Sequence, residues 1–388
     1  MSDTDEETEI SGDGDSFTEA GPSWLKRVGN SVMGVVLGIV LLPASIGLLA
    51  WNESRAVHTA RSLAEGSKVV KESIPDQIDP SLEGKLVHFS GSLAISGSLV
   101  DPDFPVRAEN AAVLRRYVDT YQWSESHTSN KDHTETYTYF RSWSDHGVDS
   151  SHFRHPSGHQ NVQPRHSALT LVAPEGRLGP RRVAGSLLRE LQGGEPVHPA
   201  ETMTSTGVKL DGDALYVGDN PSTPRIGDER VRWQVLQPAE ISVIAQQYGD
   251  GLAPFSTRAG RPLYMIASGN TPATAMFHEA EVQNTILTWT LRPIGALLMF
   301  LGFSLLMGPL SALASVIPIV DSLVGAGVAI VAFLLTAIAA PLIIGLSWLA
   351  VRPLLGVTIL ICGAVVAVGI SHNIKRRQLV QLDSFKMS

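Results

Sequence analysis

Cysteine occurs once in the 388 residues, at Cys362, inside an apolar stretch. A single thiol cannot close a disulfide within its own chain, and a zinc site built from several thiolates is excluded on the same count. Clustered basic charge is missing outside the flanks of the apolar runs, and the net charge is −8. A nucleic-acid-binding face normally carries such a cluster, so no nucleic-acid partner is expected. Lys and Arg are absent from residues 1–20, which hold eight Asp or Glu. A segment this acidic cannot offset its chain entropy by burying apolar surface, so residues 1–27 read as a disordered acidic tail. Familiar catalytic signatures are missing too. No Gly-rich phosphate loop follows a strand, no nucleophile elbow is present, and no two carboxylates form a recognisable acid–base pair. No catalytic residue and no cofactor is therefore assigned.

Histidine is more plentiful, with seven of the twelve lying between His127 and His166. "HFRHPSGH" spaces His152, His155 and His159 at i, i+3 and i+7, a ligand pattern if helical. Pro156 and Gly158 break that helix, and no Cys or matched carboxylate completes a shell, so the segment reads as a surface loop and no metal is assigned.

Charge is also missing from long runs. Between Arg27 and Glu53 lie 25 uncharged residues, and roughly 20 apolar residues suffice to cross the hydrocarbon core of a bilayer. A cleaved signal would have a shorter apolar region of about 7–15 residues, so a retained anchor over 28–51 is favoured. From Pro293 to Val351 only Asp321 is charged, and apolar sequence resumes after Arg352. Helices are expected at 286–308, 322–346 and 353–371, followed by a basic tail over 372–388. Four spans put both termini on one side. Trp51, Trp289 and Trp348 then fall at one interface, where indoles prefer to sit. Positive charge flanks both ends of the spans about equally and does not orient them. Asp321 reads as a cap after Pro318 rather than as a proton or ion ligand.

Between the first two spans, residues 73–275 are largely β in pattern. "ETYTYFRSW" alternates Tyr137, Tyr139 and Arg141 with Thr136, Thr138 and Phe140, and "LRRYVDTYQW" is its expected hairpin partner. Further strands are expected at "KLVHFSGSL", "RVRWQVL", "ISVIAQQ" and "LYMIAS", with a helix at "RVAGSLLREL". The first span ends on "WNESRAVHTARSLAEG", where Ala56, Ala60, Leu63 and Ala64 share a helical stripe. Residues 52–72 therefore read as a stem helix stopping near Gly66. A second stem over 276–285 leads into the second span. The expected fold is a membrane protein of α+β class, with four transmembrane helices and a β-rich extramembrane domain inserted between the first and second.

Several of these segments resemble the LUMA family, also called transmembrane protein 43. The stem "WNESRAVHTARSLAEG" carries the resemblance, with "LRRYVDTYQWSE", "YVGDNPSTPRIGDERVRW", "VIAQQYGDGLAPFSTRAG" and "FHEAEVQNTILTWTLRPIG". These motifs single out Asn52, Glu53, Arg55, Glu65, Gly66, Asn220, Pro221, Gly227, Asp228, Pro254 and Phe255 as motif or interaction candidates. Arg292 and Asp321 are the polar candidates within the membrane runs. The resemblance implies a large domain in the lumen of the endoplasmic reticulum and nuclear envelope, with both termini cytosolic or nuclear. In a prokaryote the same protein would sit in the cytoplasmic membrane, its domain periplasmic or extracellular. It also implies a non-enzymatic scaffold organising the inner nuclear membrane, with partners that include a second copy, other membrane or envelope proteins, and the lipid bilayer. A stress or lipid sensor signalling through the helices is the first alternative. An uncharacterised membrane enzyme or transporter is the second. The acidic tail before Trp24 has no counterpart in the family pattern.

Overall fold

The computed structural model describes residues 8–11, 14–20, 24–130, 134–200, 203, 206–237, 240–314 and 318–351. The chain divides into two compact units. One takes Met1–Gly21, Gly66–Thr257 and Pro262–Phe277; the other takes Pro22–Glu65, Arg258–Arg261 and His278–Ser388.

Strands β1 (Thr8–Ser11) and β2 (Gly14–Ala20) precede the long helix α1 (Trp24–Val69). Next come β3 (Lys71–Glu72), β4 (Leu86–Ala94), β5 (Ser98–Val100), β6 (Arg107–Glu109), β7 (Val113–Ser129) and β8 (Thr134–Ser144). β9 (Leu169–Val172), β10 (Glu175–Leu178), β11 (Arg181–Ala184) and the one-turn helix α2 (Gly185–Leu188) follow. β12 (Glu195–Val197), β13 (Val208–Asp211), β14 (Ala214–Val217), β15 (Glu229–Leu236), β16 (Glu240–Tyr248), β17 (Gly251–Ala253) and β18 (Met265–Ser268) complete the strands. Helices α3 (Ala273–Leu306), α4 (Gly308–Ala314) and α5 (Pro318–Val351) end the described chain.

In the first unit, a nine-stranded sheet runs β1-β2-β8-β7-β15-β14-β13, with β12 also on β15 and β9 on β7. A seven-stranded sheet runs β11-β10-β4-β16-β17, with β18 on β16 and β3 on β4. Only the β3–β4 pair is parallel among these. The expected hairpin forms, pairing Thr120 with Ser144 at its base and Ser129 with Glu135 at its tip. On it Tyr139 is buried and Phe140 exposed, opposite faces of the strand, while most of its other residues are half-buried. One core gathers Phe89, Val113, Leu178, Leu187, Leu188 and Val243 from β4, β7, β10, α2 and β16. A second packs Phe104, Leu114, Leu215, Val231 and Trp233 against the nine-stranded sheet.

Two expectations are corrected in this unit. The helix expected over "RVAGSLLREL" shrinks to the single turn Gly185–Leu188, because Arg181–Ala184 pairs with β10 as a strand. Gly179 at φ 58 makes the tight turn between them, a conformation glycine adopts without a Cβ penalty. Leu187, Leu188 and Leu191 still enter the core. The acidic tail is also more ordered than its composition predicts. Residues 14–20 form β2, in register on β8 from Gly14–Phe140 to Ala20–Thr134. Backbone pairing along an open edge and counter-charges on a neighbouring loop supply what apolar burial does not. The sheet unit is therefore not confined to residues 73–275.

The first span and the stem after it are one continuous helix of 46 residues, about 69 Å long at 1.5 Å per residue, and its residues up to Glu65 belong to the second unit. Gly66 lies within α1 and is not its stop. The second stem and span are likewise one helix, α3. The turn expected between Pro309 and Pro318 contains the seven-residue helix α4. Among the described residues, three helices are long and apolar enough to cross a membrane, at Ser31–Val69, Ala273–Leu306 and Val324–Trp348, with peak mean hydropathies of 2.5, 1.6 and 2.6. The backbone at Asp321 is already helical, inside the first turn of α5, so it is not the residue capping that helix. Span 353–371, Cys362 and the basic tail lie outside the described residues.

Glycines set the closeness of the helices. A Cβ on Gly38 would stand 2.9 Å from the Gly302 carbonyl, and one on Gly295 would stand 2.6 Å from Leu49. Small residues permit such approach where lipid offers no hydrophobic drive for association. Leu49, Met299 and Ala340 form a buried cluster joining α1, α3 and α5. Outward-facing Met33, Ile39, Leu297, Phe333 and Ile338 remain exposed, as residues facing lipid do.

Candidate functional site

Where α1 turns from apolar to polar sequence, its first polar residues are buried rather than solvated. Asn52 is fully buried and Glu53 is 1% exposed. Glu53 receives a two-pronged bond from Arg292 on α3, Nε to Oε1 at 2.7 Å and the terminal nitrogen to Oε2 at 2.9 Å. The Trp348 indole on α5 donates to Oε2 at 2.5 Å. Arg292 also lies over the Trp289 ring at 4.6 Å and 5.8 Å from the Trp348 ring centre. Fork-to-carboxylate geometry is the strongest form of this ion pair, and aromatic faces stabilise a desolvated guanidinium.

A second layer lies one turn further along. Asn52 donates to the Thr288 carbonyl at 3.1 Å, and Asn284 donates to the Ala56 carbonyl at 3.0 Å. Arg55 donates to Asn284 Oδ1 at 2.9 Å, Thr288 Oγ1 at 3.0 Å and Asn52 Oδ1 at 3.3 Å. A cleft of about 190 Å³ opens beside these groups, lined by Val57, Ala60 and Thr285 as well. The collar is thus a buried polar ring tying three helices. A carboxylate already bonded to three donors is poorly placed as a base, and the arrangement's evident chemistry is to fix helix register.

Asn52, Glu53, Arg55 and Arg292, all named from sequence, come together here. Asn284, Thr288, Trp289 and Trp348 were missed as partners. For Asn284 and Thr288 a signal existed, since 284, 288 and 292 recur every four residues in "NTILTWTLR" and share one helix face. Nothing local marks Trp348 as the third donor.

The remaining candidates lie elsewhere. Glu65 accepts the Arg258 backbone N–H at 3.0 Å. Gly66 is buried, and a Cβ there would meet Leu263 at 2.2 Å and Phe277 at 3.1 Å. The "NPSTPRIGD" motif is a structural turn. Asn220 Oδ1 accepts from Ser222 N at 3.1 Å, with Pro221 between them, a local side-chain turn. Gly227, at φ 89, donates to the Tyr121 carbonyl at 2.9 Å, and Tyr121 donates back to Asp228 at 2.8 Å. Asp228 also accepts from the Tyr216 hydroxyl and from Arg225 N. Burial and that carboxylate hold the Tyr216 hydroxyl well above the usual phenol range. Phe255, after Pro254, exchanges backbone bonds with Leu263 at 2.9 and 2.8 Å and so closes the loop between them.

The His-rich loop is fastened to the sheet. His159 is 2% exposed and stacks on Tyr139 at 4.0 Å, while His152 is exposed beside Asp149. Among the described residues, no group of three His, Cys, Asp or Glu is arranged to hold a metal ion.

The family model for transmembrane protein 43 matches residues 120–353. Rat transmembrane protein 43 is 32% identical over 354 residues, covering 86% of this chain and 88% of the relative. The human protein of that name is 32% identical over 358 residues, covering 87% and 89%. A Drosophila melanogaster homolog is 27% identical over 362 residues, covering 87% and 94%. No solved structure matches the chain. Together with the apolar helices, these matches make it a membrane protein, and it belongs to the transmembrane protein 43 family.

Proposed function

We propose that this chain is a non-enzymatic multi-pass membrane scaffold, whose β-rich unit binds protein partners or a second copy at an endomembrane surface. The observation that carries this reading is the collar. Its carboxylate and guanidinium are consumed by each other and by Trp348 in holding three helices together, which suits a rigid platform better than a reaction centre. In this reading the β-rich unit is lumenal and both termini are cytosolic or nuclear; in a cell without a nucleus, the unit faces the periplasm or exterior.

Purification in mild detergent, with mass and crosslinking measurements, tests the scaffold. Oligomers or co-purifying membrane proteins are the expected result. A strictly monomeric protein without partners would remove the scaffold reading.

A further inference from the structure

The outer edge of β8 carries a segment that membrane topology would take away from it. β2 pairs with β8 through seven registered residues. On one face Ser16 and Thr18 meet Thr138 and Thr136 at 3.4 and 3.2 Å. On the other, the Phe17 ring stacks on His155 at 4.6 Å and meets Tyr139 edge-on at 5.9 Å. Arg154 donates twice to Glu19 Oε2, at 3.0 and 2.7 Å. His155 Nε2 lies 2.9 Å from Glu19 Oε1, and His159 Nε2 lies 3.2 Å from Asp15.

Bonds that do not involve β2 also hold the receiving loop. Arg154 N donates to Glu125 at 2.6 Å, and His155 N donates to the Tyr139 hydroxyl at 2.9 Å. Asn161 exchanges bonds with the Trp123 backbone at 2.7 and 2.9 Å. The edge therefore presents main-chain donors and acceptors, an aromatic seat and a cationic loop as one preformed surface. Strand addition to such an edge draws affinity from backbone bonds and specificity from alternate side chains.

Residues 14–20 precede the uncharged run 28–52, and the β8 edge follows it. Once that run crosses a bilayer, the two lie on opposite faces, in this chain and in any second copy alike. We propose that the β8 edge with loop 150–161 is an acceptor for an extended acidic segment of a partner protein on its own side of the membrane, of the form carboxylate-x-aromatic-x-carboxylate. The chain's own Asp15-Ser-Phe17-Thr-Glu19 shows how that segment sits. This rests on the scaffold reading and names the chemistry of its partner.

The test uses the full-length chain in phosphatidylcholine nanodiscs and a fluorescent peptide of residues 8–20. Saturable binding is expected. Phe17→Ala in the peptide, or Arg154→Ala in the protein, should weaken it at least tenfold. Absence of binding, or equal binding of a scrambled peptide, overturns the proposal. So does a Ser16→Cys, Thr138→Cys disulfide forming within one membrane-inserted chain (in a Cys362→Ser background), because the tail would then occupy its own site. Co-purifying partners with a silent peptide would sink this acceptor but leave the scaffold standing. Peptide binding to a partnerless monomer would do the reverse.

Discussion

Glu53 shows why a charge survives burial at the end of an apolar helix. Desolvation would cost several kcal/mol if the carboxylate stood alone, but Arg292 and Trp348 occupy both of its oxygens. Glu53→Ala leaves Arg292 without its counter-charge, and a loss of about 3–5 kcal/mol is expected, read as a lower unfolding midpoint in detergent. Adding Arg292→Met should cost less than the two single changes summed; additivity would show that the pair is not coupled. Gly66 acts by the space it leaves. Gly66→Ala forces a methyl to 2.2 Å from Leu263, so destabilisation of about 1–3 kcal/mol is expected, checked in the same melts. At this scale the sequence was informative on one side only. A charge switch straight after an apolar run drew attention to Asn52, Glu53 and Arg55. Their partners lie more than 200 positions away; Arg292 stood out as a charge in an apolar run, and only its shared face with 284 and 288 hinted at the others.

Secondary elements were legible where their period was strong. The β7–β8 alternation and the three described apolar helices appear where expected. The failures are tertiary. Val183 has helical spacing to Leu187, yet strand pairing with β10 takes it, because propensity is a weak prior against an available sheet edge. β2 has a composition that argues for disorder, yet its seven residues match the β8 edge in register, so such a segment is ordered only where that edge is within its reach. The Arg154 hydrogen bond holds the Glu19 carboxyl below the usual carboxylate range. Its contribution to docking is thus fully present above the unfolded value near 4.3 and lost as pH falls through the lower docked value. Affinity of the peptide of residues 8–20 should therefore fall as pH is taken from 5 to 3. A Glu19→Gln peptide should lose that part of the fall. Between helices, Gly38→Leu should push α1 from α3, since its Cβ already faces the Gly302 carbonyl at 2.9 Å. A lower midpoint is expected, with less loss for Gly29→Ala, where nothing lies within 4 Å.

Across the whole molecule, the division into a sheet-rich part and an apolar helical part was visible from where charge stops and resumes. Orientation was not, because cations flank both ends of the spans. With Cys362 replaced, single cysteines at Ser11, Ser151 and Ser384 decide it. Only Ser151 should react with an impermeant reagent from the lumenal or exterior side; Ser11 reacting there as well would mean that the first run does not cross.

The unbroken course of α1 has a mechanical corollary. No proline interrupts it after Pro43, so within the helical unit about 21 Å of helix from Asn52 to Glu65 moves with its greasy half as a lever. A tilt change of about 10°, of the kind bilayer thickness imposes, sweeps the Glu65 end sideways by about 4 Å, converting lipid depth into lateral displacement.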